Sequence, residues 1–401
     1  MPGVDPPRVA RYTLAVSYLR LLAADPRFLS FGLVLAFFSS FGQTFFISLF
    51  GDEIRTTFDL SHGDFGLCYS LATLASGMTI IWLGRKIDSV DLRIFSTLVC
   101  GGLVFACFGM AVAPAVAVLG VVLFLLRLTG QGLLSHTAMT SMARYFDAGR
   151  GKAISIAALG FPAGEAVLPI AAVVVMERIG WRQTWMAIAA GLLVIGIPLI
   201  LWLLRRHETR HAAHLERVTA AEDSTNADAR VAGLGRQWTL AQVLHDPHFF
   251  VLIPAIMAPA FIVTGLFFHQ LHLVESKGWS LTWFAGCFAV FAGAQLPAGL
   301  IAGPLVDRYG ARRLLPLFLA PLTAGLAGPI VGSMWVEMYG VRHLGAIRAM
   351  VTAVLVFGTA GSPVTMGWLI DAGVSMDTIA WLCCAYAAAG TTLAWLATRK
   401  H

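Results

Sequence analysis

Residues 303–313 read GPLVDRYGARR, a charged stretch between apolar runs at about 281–303 and 314–331. A weaker copy, GRKIDSVDLR, occupies residues 84–93 and follows an earlier apolar run. The two copies share a glycine, an aspartate and an arginine at the same spacing, 219 positions apart. This agreement indicates that the chain contains a duplicated unit.

A second pair of matching stretches supports the duplication. DPRF at residues 25–28 precedes the first apolar run, and DPHF at residues 246–249 precedes the seventh, 221 positions later. Two matches at nearly one offset predict two helical halves, a transporter architecture. We place the halves at residues 1–204 and 248–401, with a charged cytoplasmic linker at 205–247 between them.

The composition is that of a helical membrane protein. Of the 401 residues, 58% are hydrophobic and 12% are charged, whereas soluble domains have about 25% charged residues. The apolar runs are continuous over roughly 20 residues and do not alternate, which favours membrane-spanning helices over a β-barrel. We therefore expect an all-α multi-pass membrane protein.

The apolar runs indicate six spans before the linker and five clear spans after it. The first six lie at about 28–50, 63–83, 94–113, 115–142, 153–176 and 183–204. The remaining five lie at about 249–273, 281–303, 314–331, 347–370 and 377–397. Each run is close to the ~20 residues that cross a bilayer.

The second half is shorter than the first by about one span. Asp88 precedes Gly151 by 63 residues, but Asp307 precedes Gly345 by only 38. The stretch 314–341 is too short for two crossings and a turn at ~1.5 Å per residue. It can form a short re-entrant hairpin, or the last two spans can be inverted, or the chain can be a deletion variant. We expect a truncated tenth helix and impaired or absent transport; the alternative is that a shortened helix is tolerated.

The basic residues predict the orientation. If both termini and the linker lie on one side of the membrane, that side holds 23 of the 28 Lys and Arg residues and the other side holds four. Such a bias marks the cytoplasmic side, so both termini are expected there. We expect a cell membrane, the inner membrane in a prokaryote. The net charge of +6 then serves topology and does not indicate a nucleic-acid partner.

The stretch at 303–313 resembles the loop signature of the major facilitator superfamily, and the resemblance extends over the whole chain. It implies a secondary transporter that works by alternating access. In that family the motif aspartate caps and pairs across the cytoplasmic helix ends and latches the outward-open state. The gating residues that the resemblance implies here are Gly84, Asp88, Arg93, Gly303, Asp307, Arg308, Gly310 and Arg312. The stretches at 144–153 and 335–348 also resemble the branch that contains monocarboxylate and oxalate carriers.

Two ionisable residues lie near the middle of spans: Arg127 in the fourth and Glu165 in the fifth. A charge at this depth costs at least about 2.5–3.5 kcal/mol, so it is usually paired or functional. We expect Arg127 and Glu165 to pair, either as a substrate and proton site or as a structural ion pair. Further candidates for the substrate or proton site are Gln131 and His136 in the fourth span, Gln43, Gln295 and His269.

The function predicted from these residues is proton-coupled transport of a small organic anion such as a monocarboxylate. Arg127 would bind the carboxylate, and Glu165 and His136 would carry the proton. The alternative is a proton-driven antiporter that exports amphiphilic compounds or metabolites. No nucleophile motif, metal motif or phosphate-binding loop indicates an enzyme. The expected partners are a small-molecule substrate, a proton and the lipid bilayer; we expect a monomer without a cofactor or a metal.

Overall fold

The computed structural model describes residues 21–88, 90–146, 150–205, 207–212, 238–309, 313–315, 334–335, 338–339 and 344–399. Every regular element in these ranges is a helix, and no strand occurs among them. The prediction of an all-α membrane protein is therefore confirmed.

The part of the chain before the linker forms the six predicted spans. They are span 1 (Pro26–Ser39, Ser40–Gly42, Thr44–Ile47, Ser48–Phe50 and Gly51–Phe58), span 2 (His62–Leu83), span 3 (Leu92–Val112), span 4 (Val116–Leu125, Leu126–Leu134 and Ser135–Tyr145), span 5 (Arg150–Ala158 and Gly160–Ile179) and span 6 (Trp181–Gly191, Leu192–Gly196 and Ile197–Leu203). A 3-10 turn, Gly84–Asp88, follows span 2.

The part after the linker contains four long helices within the described ranges. They are span 7 (Pro247–Phe268), span 8 (Leu281–Tyr309), a penultimate helix (Leu344–Asp371) and a last helix (Met376–Arg399), with short helices at Leu240–Val243 and Gln270–Ser276. These four correspond to predicted runs. The fifth run, 314–331, lies outside the described residues except at 314–315, and so does the expected truncation of the tenth helix.

The two DPxF stretches form the same helix start. The Asp25 carboxylate accepts a hydrogen bond from the Phe28 backbone N–H at 3.3 Å, and the Asp246 carboxylate accepts one from the His248 N–H at 3.0 Å. A proline occupies the first helical position in both cases. Aspartate caps satisfy N–H groups that a helix start leaves free, and proline lacks the N–H that would be free there.

The helices define two ends of the bundle. At the His-rich end, which carries His62, His269 and His272, the Asp371 carboxylate contacts the backbone of His62. The opposite end carries Arg93 and Arg144, and we call it the Arg-rich end; there Arg144 donates to the Ile87 carbonyl and Arg93 to the Leu204 carbonyl. Span 2 and the penultimate helix therefore run antiparallel, side by side, and Gly77 lies against Val356 further along.

The described residues on both sides of 316–333 lie at the Arg-rich end. Leu314 and Leu315 share one buried cluster with Met334, Trp335 and Tyr339, and this cluster also includes Phe249 near the start of span 7, Ile347, Ala394 and Ala397. The penultimate helix thus starts at the Arg-rich end and the last helix returns to it. The alternative in which the last two spans are inverted is therefore wrong.

Equivalent aromatic contacts show how much shorter the part of the chain after the linker is than the part before it. The Phe28 ring lies 5.5 Å from the Tyr145 ring, and the Phe249 ring lies 6.4 Å from the Tyr339 ring. Tyr145 follows Asp25 by 120 residues, whereas Tyr339 follows Asp246 by 93, which is 27 fewer. The same structural position is therefore reached after about one span less of chain.

Candidate functional site

Span 1 is broken at Gln43, near the middle of its length. Gln43 has an extended backbone (φ −85°, ψ 154°), and the two parts of the span are bent by 48°. A Cβ at Gly42 would lie 2.1 Å from the Leu126 carbonyl oxygen and 2.8 Å from the Gly130 Cα. Only glycine permits this approach of span 1 to span 4. The sequence indicated Gln43 as a site residue but not the break.

Span 4 is distorted at the same level. Leu126–Leu134 is π-helical and carries Arg127, Gly130 and Gln131. Irregular backbone at membrane depth occurs where it is buried in protein or lines a cavity, and π segments are frequent at functional sites. The break in span 1 and the π segment in span 4 thus meet around Arg127.

Arg127 is buried (5% exposed). Its Nη1 donates to the Gly42 carbonyl at 3.3 Å and lies 3.5 Å from the Thr44 hydroxyl. The Tyr69 ring lies 5.1 Å from the guanidinium carbon, and the Tyr69 hydroxyl bonds the Thr44 hydroxyl at 2.8 Å. A guanidinium has five N–H donors, yet the Arg127 Nε is buried and finds no hydrogen-bond partner among the described residues.

The expected pair of Arg127 and Glu165 is not formed. The break in span 1 lies between the two residues, because Gly42 packs against Gly130 on one side and Ser40 packs against Gly164 on the other. Spans 4 and 5 contact each other nearer the Arg-rich end, through Ser135–Tyr145 and Arg150–Ala158, but span 1 separates them at the level of Arg127. The prediction of the ion pair was therefore wrong. Arg127 has no carboxylate partner among the described residues.

Glu165 instead pairs with Gln295, another residue indicated by the sequence. The Gln295 Nε2 donates to Glu165 Oε2 at 2.7 Å. This bond joins span 5 to span 8, and these two spans pack against each other extensively. The structure thus brings two of the candidate site residues together across the interface between the parts before and after the linker.

The remaining candidates on span 4 have separate surroundings. Gln131, one turn after Arg127, has a buried Oε1 to which no described residue donates a hydrogen bond. His136 lies nine residues after Arg127, roughly 13 Å along a helix. Its Nε2 lies 3.5 Å from the Thr140 hydroxyl and faces Gly84. His136 therefore contacts the start of the predicted gating motif and neither Arg127 nor Glu165.

His269 lies at the His-rich end, after span 7. Its Nε2 donates to the Pro363 carbonyl at 2.8 Å, which fixes the tautomer. Burial lowers the pKa of the imidazole to about 4. His269 is therefore a neutral residue that packs the end of span 7 onto the penultimate helix.

The gating motif is described only in part. Gly84 and Asp88 form a 3-10 turn, and Arg93 donates to the Glu208 carboxylate at 2.8 Å and to the Leu204 carbonyl at 3.3 Å. Span 8 continues as a helix through the stretch expected to be a loop, up to Tyr309. The structure does not describe the side chains of Asp88, Asp307 and Arg308 or the surroundings of Gly303. Gly310 and Arg312 lie wholly outside the described residues.

An apolar cavity of about 240 Å³ lies beside the break in span 1. Phe41 and Phe46 line it on span 1; Leu168, Ala171, Ala172 and Val175 on span 5; Thr184, Ala187 and Ile188 on span 6. The Thr184 hydroxyl donates to the Gly180 carbonyl. A cavity with this lining favours hydrocarbon over water.

Sequence reasoning missed Thr44, Tyr69 and Ser48, and it did not show that Gln270 is buried at the interface between the two parts of the chain. Gln270 bonds the Phe45 carbonyl and Ser48 across the interface. Thr44, Ser48 and Tyr69 are mildly polar residues within apolar runs, so their types gave no signal. Gln270 lies near the end of the predicted run at 249–273, and its burial was the missing information.

The family model that describes the Major Facilitator Superfamily matches residues 32–328 of the chain. No curated protein matches the sequence. The fold is similar to the crystal structure of a bacterial homolog of the human lysosomal transporter Spinster in an inward-facing and occupied conformation, with 16% identity and a TM-score of 0.60 over 100% of this chain and 98% of that chain. It is also similar to the inward-facing and unoccupied conformation, with 15% identity and a TM-score of 0.57 over 92% and 94% of the chains. The chain therefore belongs to the Major Facilitator Superfamily, a family of membrane transporters and not of enzymes.

Proposed function

We propose that the chain binds a small organic anion such as a monocarboxylate at Arg127 and moves it together with a proton by alternating access. The observation that carries this proposal is the state of Arg127, a buried guanidinium whose Nε has no hydrogen-bond partner in the part of the chain that the structure describes. We further propose that it acts as a monomer in a cell membrane, with both termini and the linker at 205–247 in the cytoplasm.

The chemistry of Arg127 suits a carboxylate. Its contacts within the protein are a neutral carbonyl, a hydroxyl and an aromatic face, and none of these neutralises its charge. A buried charge without a counter-ion is costly, and a bound anion removes that cost. A carboxylate also matches the planar fork of a guanidinium, which binds it through two parallel hydrogen bonds.

Glu165 and Gln295 supply the proton site of this proposal. An amide has both a donor and an acceptor, so Gln295 can donate to an ionised Glu165 and can accept a bond from a protonated one. The pair thus tolerates both protonation states without leaving a buried group unpaired. Its place between spans 5 and 8 exposes it to any relative movement of the two parts of the chain.

The conformation fits one state of an alternating-access cycle. Hydrogen bonds between the parts before and after the linker, among the described residues, lie at the His-rich end or at the level of Glu165. Since basic residues predict that the Arg-rich end is cytoplasmic, this arrangement corresponds to a transporter that is closed towards the outside.

Export of an amphiphilic compound is the second candidate function. The apolar cavity of about 240 Å³ favours it, because its lining of mostly apolar side chains from spans 1, 5 and 6 suits a hydrocarbon chain. An amphiphile could place its apolar part there.

The experiment that tests the proposal measures ligand binding as a shift in the thermal unfolding of the purified protein. The ligands are L-lactate, pyruvate and a short-chain alkyl amphiphile, each at two pH values. We expect the two carboxylates to stabilise the wild type and the Arg178→Ala control, in which an exposed arginine is removed, but not Arg127→Ala. Stabilisation by the amphiphile alone contradicts the carboxylate proposal and supports export. Counterflow in proteoliposomes then measures whether the short second part still permits the full cycle.

A further inference from the structure

We propose that Gln270 and Ser48 form a lock that holds the His-rich end closed, and that this lock is mechanically coupled to Arg127 through Thr44. The coupling to substrate rests on the proposed function, whereas the lock itself rests only on contacts within the chain. Gln270 and Ser48 thus become positioning residues of the transport cycle.

Gln270 lies in the short helix after span 7 and is fully buried. Its Nε2 donates to the Phe45 carbonyl at 2.9 Å and to the Ser48 hydroxyl at 2.9 Å. Both acceptors belong to the broken part of span 1. The Gln270 amide group thus donates both of its hydrogens across the interface between the parts of the chain before and after the linker.

The break at Gln43 explains why span 1 offers these acceptors. The helix Thr44–Ile47 has only four residues, and the last carbonyls of a helix have no partner within it. An unpaired carbonyl at membrane depth is costly. The Phe45 carbonyl, which also lies 3.4 Å from the Ser48 hydroxyl, accepts a hydrogen bond from the Gln270 amide, so the broken conformation and the closed end stabilise each other.

The Ser48 hydroxyl has a choice of acceptors. It lies 2.8 Å from the Thr44 carbonyl in its own span and 2.6 Å from the Phe267 carbonyl in span 7. A hydroxyl has one hydrogen, so it donates to one carbonyl at a time. When the His-rich end opens, the Ser48 hydroxyl can still donate to the Thr44 carbonyl of its own span, so it is not left unpaired.

Thr44 connects the lock to Arg127. Its carbonyl faces the Ser48 hydroxyl, and its own hydroxyl lies 3.5 Å from Arg127 Nη1 and 2.8 Å from the Tyr69 hydroxyl. An anion that draws the guanidinium to itself weakens the contacts of Arg127 with Gly42 and Thr44. The segment that Gln270 clamps is then held less firmly, and opening becomes easier.

The experiment measures the distance across the His-rich end by double electron–electron resonance in the apo protein. Spin labels are placed at the exposed positions Thr57 and Ala380 after replacement of the six native cysteines. We expect Gln270→Leu to increase the ratio of open to closed protein about tenfold, the effect of losing a pair of buried hydrogen bonds. Ser48→Ala should give a smaller increase, and the double variant a larger one than Gln270→Leu alone, because it also removes the hydrogen bond from Ser48 to the Phe267 carbonyl.

The matched control is Ser276→Ala, because the Ser276 hydroxyl lies on the same short helix and, within the described ranges, bonds only the Leu273 carbonyl of that helix. It should leave the distances unchanged. If Gln270→Leu does not fold, the Ser48→Ala variant tests the lock alone, because that substitution removes only a hydroxyl group. Unchanged distances in a folded Gln270→Leu or, failing that, in Ser48→Ala overturn the lock.

The coupling has its own test without any ligand. Arg127→Ala removes the contacts with Gly42 and Thr44, so we expect it to shift the apo distances towards the open state, whereas Arg178→Ala should not. Equal distances in Arg127→Ala and wild type overturn the coupling. Addition of L-lactate separates the two proposals: absence of lactate binding contradicts the proposed function but leaves the apo result for the lock intact.

Discussion

Glu165 on span 5 accepts a 2.7 Å hydrogen bond from Gln295 on span 8, and this bond joins the two parts of the chain at the level of the membrane. A carboxylate that pairs with a neutral amide keeps its partner whether it is ionised or protonated. The proposed proton site is therefore separate from Arg127, which makes its own contacts on the other side of span 1.

The first prediction concerns Glu165→Gln. The amide retains a hydrogen bond with Gln295 but cannot exchange a proton, so we expect anion binding to persist and to lose its dependence on pH. Binding of L-lactate at several pH values, measured by thermal stabilisation, tests this. The control is Glu177→Gln, since Glu177 is an exposed carboxylate that bonds Thr282 between the same two spans. A pH dependence that survives in Glu165→Gln would contradict the role of Glu165.

The second prediction concerns Asp371→Asn. The Asp371 carboxylate accepts from the backbone N–H groups of His62 at 3.1 Å and Gly63 at 2.7 Å, at the start of span 2. A carboxylate stabilises the positive end of a helix, and an amide does so less well. We expect faster hydrogen exchange at these two amides in the variant.

Asp377→Asn is the control for Asp371. Asp377 is an exposed carboxylate at the same end and pairs with Lys277 at 2.6 Å, without a contact to span 2. Exchange at the start of span 2 should be unaffected by it. Equal exchange rates in Asp371→Asn and wild type would show that this contact does not hold the His-rich end.

The third prediction concerns pH and the segment after span 6. His207 is buried between Phe28 and Tyr145, and burial lowers its pKa to about 4. The free imidazole has a pKa near 6.5, so the undocked segment binds protons first. The docked segment is therefore fully stable above pH 6.5 and becomes less stable as the pH falls from 6.5 towards 4.

Limited proteolysis of the linker at a series of pH values measures this docking. We expect cleavage to accelerate below pH 6.5 in the wild type. His207→Phe keeps the aromatic packing but cannot be protonated, so its cleavage rate should depend much less on pH. The same pH dependence in both proteins would assign the effect to another group.

The fourth prediction concerns the two loop motifs. The copy at 84–93 has Ser89 and Asp91 where the fuller copy has Arg308 and Gly310. We therefore expect Asp307→Ala to reduce transport more than Asp88→Ala at equal surface expression. Equal losses would mean that completeness of the motif does not decide its importance.

The sequence predicted the spans because hydropathy and helix length are local properties. The helix starts at Asp25 and Asp246 were equally predictable from the sequence, because the capping hydrogen bond of an N-cap residue forms within the first turn of its own helix. Gln295 was found because an amide within an apolar run needs a partner. The inverted arrangement of the last two spans was open in the sequence and is excluded by the cluster around Leu315 and Trp335.

The break at Gln43 and the pairing of Arg127 could not be predicted in the same way. The break depends on the contact between Gly42 and Gly130, and these residues are far apart in the chain. The pair of Arg127 and Glu165 was expected because their spans are consecutive, but the packing places span 1 between them. The role of Gln270 likewise depends on acceptors that exist only because span 1 is broken.

Isothermal titration calorimetry of L-lactate binding to four purified proteins tests the central claim most directly. The proteins are the wild type, Arg127→Lys, Arg127→Ala and the control Arg178→Ala. We predict that Arg127→Lys binds roughly tenfold more weakly, because the charge remains and the bidentate geometry is lost. Binding to Arg127→Ala should be undetectable, and Arg178→Ala should bind like the wild type. Wild-type affinity in Arg127→Ala would contradict the assignment of Arg127 as the anion site.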